Sequence, residues 1–121
     1  MSVLVWVGVV IIGGAGSVLR FGVDRAVASR VRRDFPFGTL AINLSGAVIL
    51  GFLTGLALNH DQALLTATAA VGSYTTFSTW MFETERLAED RELGRAAANV
   101  VVSLVLGVAA AALGQWIGGR L

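Results

Sequence analysis

The stretch GSYTTFSTW, residues 72–80, decides how this chain can fold. It lies inside a segment without charged residues, from Gln62 to Phe82, that is long enough to cross a membrane. Hydroxyl side chains occupy six of the seven positions after the glycine. Because Gly72 and the Thr75-Thr76 pair form helices poorly, we expect a helix break near residues 72–76. Backbone groups freed at mid-membrane must face protein or a water-filled cavity.

The rest of the composition is that of a membrane protein. Of 121 residues, 55% are hydrophobic and 14% are charged, which leaves too little polar surface for a water-soluble domain of this size. Four charge-free runs are each about as long as a membrane-spanning helix needs to be: Met1–Leu19, Phe35–Asn59, Gln62–Phe82 and Ala96–Gly119. We predict an all-α membrane protein that is one domain, residues 1–121, with helices at about 3–28, 36–59, 62–90 and 95–119.

The arginines are distributed unevenly between the two sides of the membrane. Four spans place the first and third loops on one side, and that side holds eight of the nine arginines. Only Arg120 lies on the other. The positive-inside rule therefore predicts that both arginine-bearing loops are cytoplasmic and both termini are outside.

Several classes of function are disfavoured by the residues that the chain lacks. It has no Cys and only one His, His60, which excludes thiol chemistry and a conventional zinc site. No Ser–His–Asp set, carboxylate pair or phosphate loop is present, so we do not expect an enzyme. Nothing in the sequence indicates nucleic-acid binding. The span centres hold no Asp, Glu, Lys or His, and hydroxyl and amide donors with Arg20 near one end favour passive movement of an anion.

Small and polar residues at helical spacing leave alternatives open. Gly51 and Gly55 form one close-packing pair, and Gly114 and Gly118 form another. They serve packing within one bundle or a dimer interface, and we favour a dimer because four short helices enclose little interior. The Asn43 side chain either forms a hydrogen bond to another helix or faces a polar path. The stripe along the last helix is either a packing seam or a pore wall, and it comprises Asn99, Ser103, Gly107, Ala111 and Gln115.

Three motifs in this order resemble the fluoride channel family, called Fluc or CrcB, over the whole chain. They are GGAGSVLRF at 13–21, FPFGTLAIN at 35–43 with SGAVILG at 45–51, and GSYTTFSTW at 72–80 followed by Glu83. The resemblance implies a passive fluoride-selective channel that exports F⁻ across the inner membrane of a bacterial cell and reduces fluoride toxicity. It also implies dual topology, with four-helix subunits, broken at the centre of the third helix, forming an antiparallel dimer that holds two pores.

The resemblance also implies roles for particular residues. A structural Na⁺ would lie at the dimer interface on the backbone carbonyls of Gly72 and Thr75. Arg20 would lie in the vestibule. The fluoride pore would be lined by Asn43, Phe77, Thr79, Trp80 and Ser103, with Trp80 standing where the family has a second pore phenylalanine.

Departures from the family pattern suggest a variant arrangement. Trp80 is bulkier than phenylalanine and adds an N–H donor, while Asn99 and Gly107 stand where tyrosine and a hydroxyl residue occur in the family. Together with the arginine bias, Trp80 leads to the hypothesis that this chain is half of a heterodimer with an oppositely oriented homologue, and not a homodimer. The alternatives are a small multidrug-resistance-type antiporter, although residues 3–19 lack the carboxylate that it needs, and a non-conducting assembly subunit.

Overall fold

A computed structural model describes residues 2–31 and 35–121. Every regular element in these two ranges is helical, which confirms the all-α class. The elements are α1 (Val3–Arg30), α2 (Phe37–Gly55), α3 (His60–Ala63), a π-helix (Leu64–Val71), α4 (Gly72–Tyr74), α5 (Ser78–Glu89) and α6 (Leu93–Gly118). Of the arginines assigned to the first loop, Arg32 and Arg33 lie outside the described residues.

Three of these helices, α1, α2 and α6, are long and apolar enough to cross a membrane. Their outward-facing side chains are apolar and exposed, as Leu4, Val10 and Val108 illustrate. Such surfaces are compatible with lipid and not with water, so the chain is a multi-pass membrane protein. The remaining predicted span, the third (residues 62–82), is not a single helix: it runs through α3, the π-helix and α4 and then into α5.

The helix ends differ from the predicted boundaries by a few residues. The second helix stops at Gly55 and not at residue 59, because Ala57 adopts left-handed angles (φ 54°) that close the helix. The next helix begins at His60, since Asn59 accepts a hydrogen bond from the Gln62 N–H at 2.8 Å and caps it. The first helix extends to Arg30, and the last runs from Leu93 to Gly118.

Glycines bring α2 and α6 into close contact. A Cβ atom on Gly114 would overlap the Val48 carbonyl group, and one on Gly118 would overlap that of Phe52. In return, a Cβ on Gly51 would overlap the Ala111 carbonyl group. These glycines therefore pack within the chain, which is the first of the two interpretations offered by their spacing, and they lend no support to a dimer.

The interior of the subunit is polar where the helices converge. The most deeply buried large side chains are Ile42, Thr39 and Asn99, each exposing 2% or less of its surface. Two of these three are polar, and a buried polar group is costly unless it is hydrogen-bonded. The hydrogen bonds of this region therefore determine how the third predicted span, residues 62–82, is fixed to the other helices.

Candidate functional site

The helical backbone is interrupted at residues 75–77, between α4 and α5. Thr75 has extended angles (φ −78°, ψ 161°), whereas Gly72 remains helical (φ −61°, ψ −36°). The non-helical residues therefore begin at Thr75, three residues beyond the glycine. The helix before the interruption is already loosened, because residues 64–71 form the wider π-type turns that often accompany functional sites.

Asn43 of α2 holds the interruption in place. Its Nδ2 donates to the Thr76 carbonyl oxygen, and its Oδ1 accepts from the Thr76 N–H, both at 2.9 Å. One carboxamide thus replaces two backbone bonds that a continuous helix would have made. The interhelical bond considered for Asn43 is therefore present, and the same side chain lines a cavity of about 270 Å³.

Three cavities follow one another through this region. The loop-side cavity, about 930 Å³, shares Asp24 with a second cavity of about 360 Å³, the Arg20 cavity. The Arg20 cavity shares Thr76 with the 270 Å³ cavity next to Asn43, the Asn43 cavity. Thr76, which is buried, thus stands between the inner two.

The predicted site residues divide between the inner cavities. Asn43, Thr75, Phe77 and Trp80 line the Asn43 cavity, whose described lining residues are all uncharged. Arg20 and Thr79 line the Arg20 cavity. The structure thus brings most of the predicted residues to two adjacent spaces that are separated by the interruption.

Arg20 reaches the interrupted backbone directly. Its Nη1 donates to the Thr75 carbonyl oxygen at 3.4 Å. In a continuous helix that oxygen would bond to the Thr79 N–H, which here donates to the Thr76 hydroxyl oxygen at 3.1 Å. The interruption therefore turns a backbone carbonyl toward a positively charged side chain.

The predicted pore aromatics lie together at the start of α5. Phe77 is 69% exposed and meets Trp80 edge to face, with ring centroids 5.6 Å apart. The indole Nε1–H of Trp80 does not point into open space, because it donates to the Asn99 carbonyl oxygen at 3.0 Å. The extra donor expected from tryptophan is thus already bonded to α6.

Ser103 lies one helical turn beyond Asn99 on α6. Its hydroxyl oxygen is buried and has no hydrogen-bond partner among residues 2–31 and 35–121. It does not line any of the three cavities described above.

Sequence reasoning missed residues that lie between the cavities. Thr39 is almost completely buried and donates to the Glu83 carboxylate. Glu83 lines the loop-side cavity and Thr39 the Arg20 cavity, so this bond lies in the wall between them. The described lining of the loop-side cavity also includes acidic residues that were not expected at an anion entrance, Asp90 and Glu92, besides Arg86. The motif FPFGTLAIN contained Thr39, but no local pattern indicated its partner.

A metal site built from side chains is not found in the described part of the chain, where no three His, Cys, Asp or Glu residues cluster. Two backbone carbonyl oxygens at the interruption, those of Gly72 and Thr75, lack the N–H donors that they would have in a continuous helix. The Thr76 N–H, which would bond to the Gly72 carbonyl in a continuous helix, donates to Asn43 instead. The Thr75 carbonyl has likewise lost its helical partner.

Comparison with known proteins gives a consistent result. The family described as "CrcB-like protein, Camphor Resistance (CrcB)" matches residues 7–115. "Fluoride-specific ion channel FluC 2" of Mycobacterium tuberculosis (strain ATCC 25618 / H37Rv) is 64% identical over 117 residues, 97% of this chain and 93% of that protein. The protein of the same name from Mycolicibacterium paratuberculosis is 67% identical over 114 residues, 94% and 93%. "Fluoride-specific ion channel FluC 1" of Leifsonia xyli subsp. xyli is 42% identical over 123 residues, 98% and 90%.

Proposed function

Because the chain belongs to the CrcB family, we propose that it is a fluoride-specific ion channel that lets F⁻ leave the cytoplasm and so reduces fluoride toxicity. The observation that carries this proposal is the interrupted helix held by Asn43 between two cavities. In a transmembrane segment without that interruption, the backbone groups would bond to one another and would not be available to an ion or to Asn43.

The route that we propose follows the shared lining residues. Fluoride enters from the loop-side cavity, passes Asp24 into the Arg20 cavity, and passes Thr76 into the Asn43 cavity. An anion that leaves water must be given replacement donors. The Arg20 guanidinium and the Asn43 amide are donors along this route, and ring edges such as that of Phe77 carry partial positive charge.

The flow that we propose is passive. The lining residues that the structure describes in the Asn43 cavity carry no charge, so none of them takes up or releases a proton during transport. A proton-coupled transporter is expected to place a titratable group deep in its substrate path, whereas Asp24, the carboxylate that the proposed route passes, lines only the two outer cavities. Binding by neutral donors is also weak enough to let the ion leave, which conduction requires.

We further propose a dimer of oppositely oriented subunits that holds Na⁺ on the carbonyls of Gly72 and Thr75. The carbonyls suit such an ion because their helical N–H partners, those of Thr76 and Thr79, donate elsewhere. The Thr75 oxygen, which accepts from Arg20 Nη1 at 3.4 Å, keeps a second lone pair for the ion. Hard cations such as Na⁺ are coordinated by oxygen. The ion would not take part in fluoride transport and would only hold together the interrupted helices of the two subunits.

The partner subunit that we propose is a homologue of opposite orientation, in a bacterial inner membrane. Eight of nine arginines lie in or beside the first and third loops, which commits the chain to one orientation. The numbered names FluC 1 and FluC 2 of its relatives fit organisms that hold two such chains. Since the chain has no cysteine, single cysteines at Ser2 and in the 90–92 turn report orientation to an impermeant thiol reagent. Equal labelling of both positions from outside would contradict the heterodimer and leave a homodimer.

Fluoride efflux from liposomes that contain the purified chain tests the main proposal, alone and after co-expression with a homologue. We expect efflux of fluoride with chloride retained. Efflux must be unaffected by a pH gradient, since proton-coupled export of organic cations would identify the small multidrug-resistance-type alternative. A chain that conducts in neither preparation would be a non-conducting assembly subunit.

A further inference from the structure

Asp24 lies one helical turn beyond Arg20 on α1, yet the two side chains do not pair. Residues four apart in a helix share one face, where Arg and Asp commonly form an ion pair. Both residues line the Arg20 cavity. No ion pair joins them within residues 2–31 and 35–121, and the Arg20 guanidinium donates to the Thr75 carbonyl oxygen instead. A contact with another element therefore fixes the position of the Asp24 carboxylate.

That contact is with Gly38, in the first turn of α2. A Cβ atom on Gly38 would overlap the Oδ1 atom of Asp24. The carboxylate thus lies directly against the Gly38 backbone, in the volume that any other side chain at position 38 would fill. Gly38 is buried and helical, so what the glycine provides here is space and not backbone freedom.

The start of α2 favours a negative charge at this point. The first N–H groups of a helix have no partners within the helix and carry partial positive charge. Pro36, which precedes α2, makes no side-chain capping bond, and the first turn of α2 has no acidic residue of its own. Glu83 faces the same loop-side cavity and repels Asp24. If the space at Gly38 were closed, the carboxylate would therefore move toward Arg20, the cation one turn away.

We propose that Gly38 is a positioning residue that keeps the Asp24 carboxylate at the start of α2 and so leaves the positive charge of Arg20 available to fluoride. This inference rests on the proposed fluoride channel function. A guanidinium has five N–H donors, and residues 2–31 and 35–121 use one of those of Arg20, at the Thr75 carbonyl. Fluoride in the Arg20 cavity can accept from the others. A carboxylate beside Arg20 would compete with the ion for these donors and would neutralise the charge that attracts it.

The test is a double-mutant cycle on the concentration dependence of fluoride efflux from liposomes. Gly38→Ala places a methyl group where the carboxylate lies. We expect it to raise the half-saturating fluoride concentration about fivefold, with little change in the maximal rate, because pairing with Asp24 offsets most of the Arg20 charge. The same substitution should have no effect in an Asp24→Asn background, which has no charge to offset that of Arg20. It should also have no effect in an Arg20→Gln background.

A matched control separates this effect from a loss of stability. The methyl group of Gly118→Ala would overlap the Phe52 carbonyl group, but Gly118 lines none of the three cavities. We expect Gly118→Ala to unfold at a lower temperature and to keep the half-saturating fluoride concentration of the unmodified protein.

Asp24→Glu is a second route to the same displacement, for the case that Gly38→Ala does not fold. The longer side chain does not fit against Gly38 and carries its carboxylate toward Arg20. It should raise the half-saturating concentration to a similar extent, and it should lose this effect in the Arg20→Gln background.

Two results would overturn the inference. One is an equal increase from Gly38→Ala with and without the Asp24 charge, because the methyl group would then act through packing alone. The other is an unchanged half-saturating concentration in folded Gly38→Ala or in Asp24→Glu. If the unmodified protein carries no fluoride, alone and with its partner, the proposed function itself fails and the inference falls with it, so the two failures are distinguishable.

Discussion

Replacing Asn43 with alanine tests how the interrupted segment is held. The variant loses both hydrogen bonds to Thr76 and leaves a buried N–H and a buried carbonyl unsatisfied. Each such group costs about 1–3 kcal/mol. Because the Asn43 cavity of about 270 Å³ gives water access to part of this site, we take the lower end, about 2–3 kcal/mol in total.

The aspartate variant distinguishes the structural role of Asn43 at the interruption from its role in conduction. Asn43→Asp keeps the acceptor for the Thr76 N–H but replaces the donated N–H with a carboxylate oxygen beside the Thr76 carbonyl. It also puts a negative charge on the proposed path. At about 5 Å and an effective dielectric constant of about 20, this charge raises the energy of F⁻ by about 3 kcal/mol, or roughly a hundredfold in flux.

The measurements are thermal unfolding in detergent and fluoride efflux from liposomes. We expect both Asn43 variants to unfold at a lower temperature and the aspartate variant to be nearly non-conducting. Asn59→Ala is the control, because Asn59 caps α3 away from the cavities. Its loss should cost about 1 kcal/mol of stability without changing efflux. Wild-type efflux in Asn43→Asp would refute the assignment of Asn43 to the ion path.

Three further predictions concern other parts of the chain. Gly114→Ala should lower the free energy of unfolding by about 1–3 kcal/mol, because the new methyl meets the Val48 carbonyl; Gly107→Ala, whose Cβ meets nothing within 4 Å, should be neutral or stabilising in the same unfolding assay. Arg20→Gln should reduce fluoride efflux about tenfold and Arg20→Lys less, since lysine keeps the charge beside the Thr75 carbonyl; equal losses would show that the guanidinium geometry matters and the charge does not. Asp90→Asn should raise efflux about twofold in dilute buffer, the effect of one exposed charge about 10 Å from the ion, and should have no effect in 1 M salt.

Local patterns in the sequence were sufficient to predict the helical class and much of the membrane-spanning framework. The charge-free runs that begin at Met1, Phe35 and Ala96 correspond to α1, α2 and α6, because lipid exposure demands long uninterrupted apolar stretches. The glycine spacing also indicated close helix packing. It did not reveal which helices would meet, since residue spacing describes one helix at a time.

Hydrogen bonds between distant residues were beyond prediction from local patterns. Gly72 has the weakest helix propensity in its segment, yet it stays helical. The interruption begins at Thr75 and includes Thr76, whose N–H donates to Asn43, 33 residues away in the sequence. The bond between Trp80 and the Asn99 carbonyl is likewise tertiary. Such pairings depend on where α2 and α6 come to lie, which the residue types in GSYTTFSTW do not encode by themselves.

The position of Trp80 alters the case for a heterodimer. Its greater bulk than phenylalanine is one of the two observations behind the heterodimer hypothesis. In the structure the indole N–H bonds to α6 and the ring packs against Phe77 in the edge-to-face manner of an aromatic pair. The larger side chain is therefore accommodated against the backbone of α6, at the carbonyl oxygen of residue 99. An indole whose N–H is bonded and whose ring is packed argues for a working variant of the site, so the heterodimer proposal depends mainly on the arginine distribution.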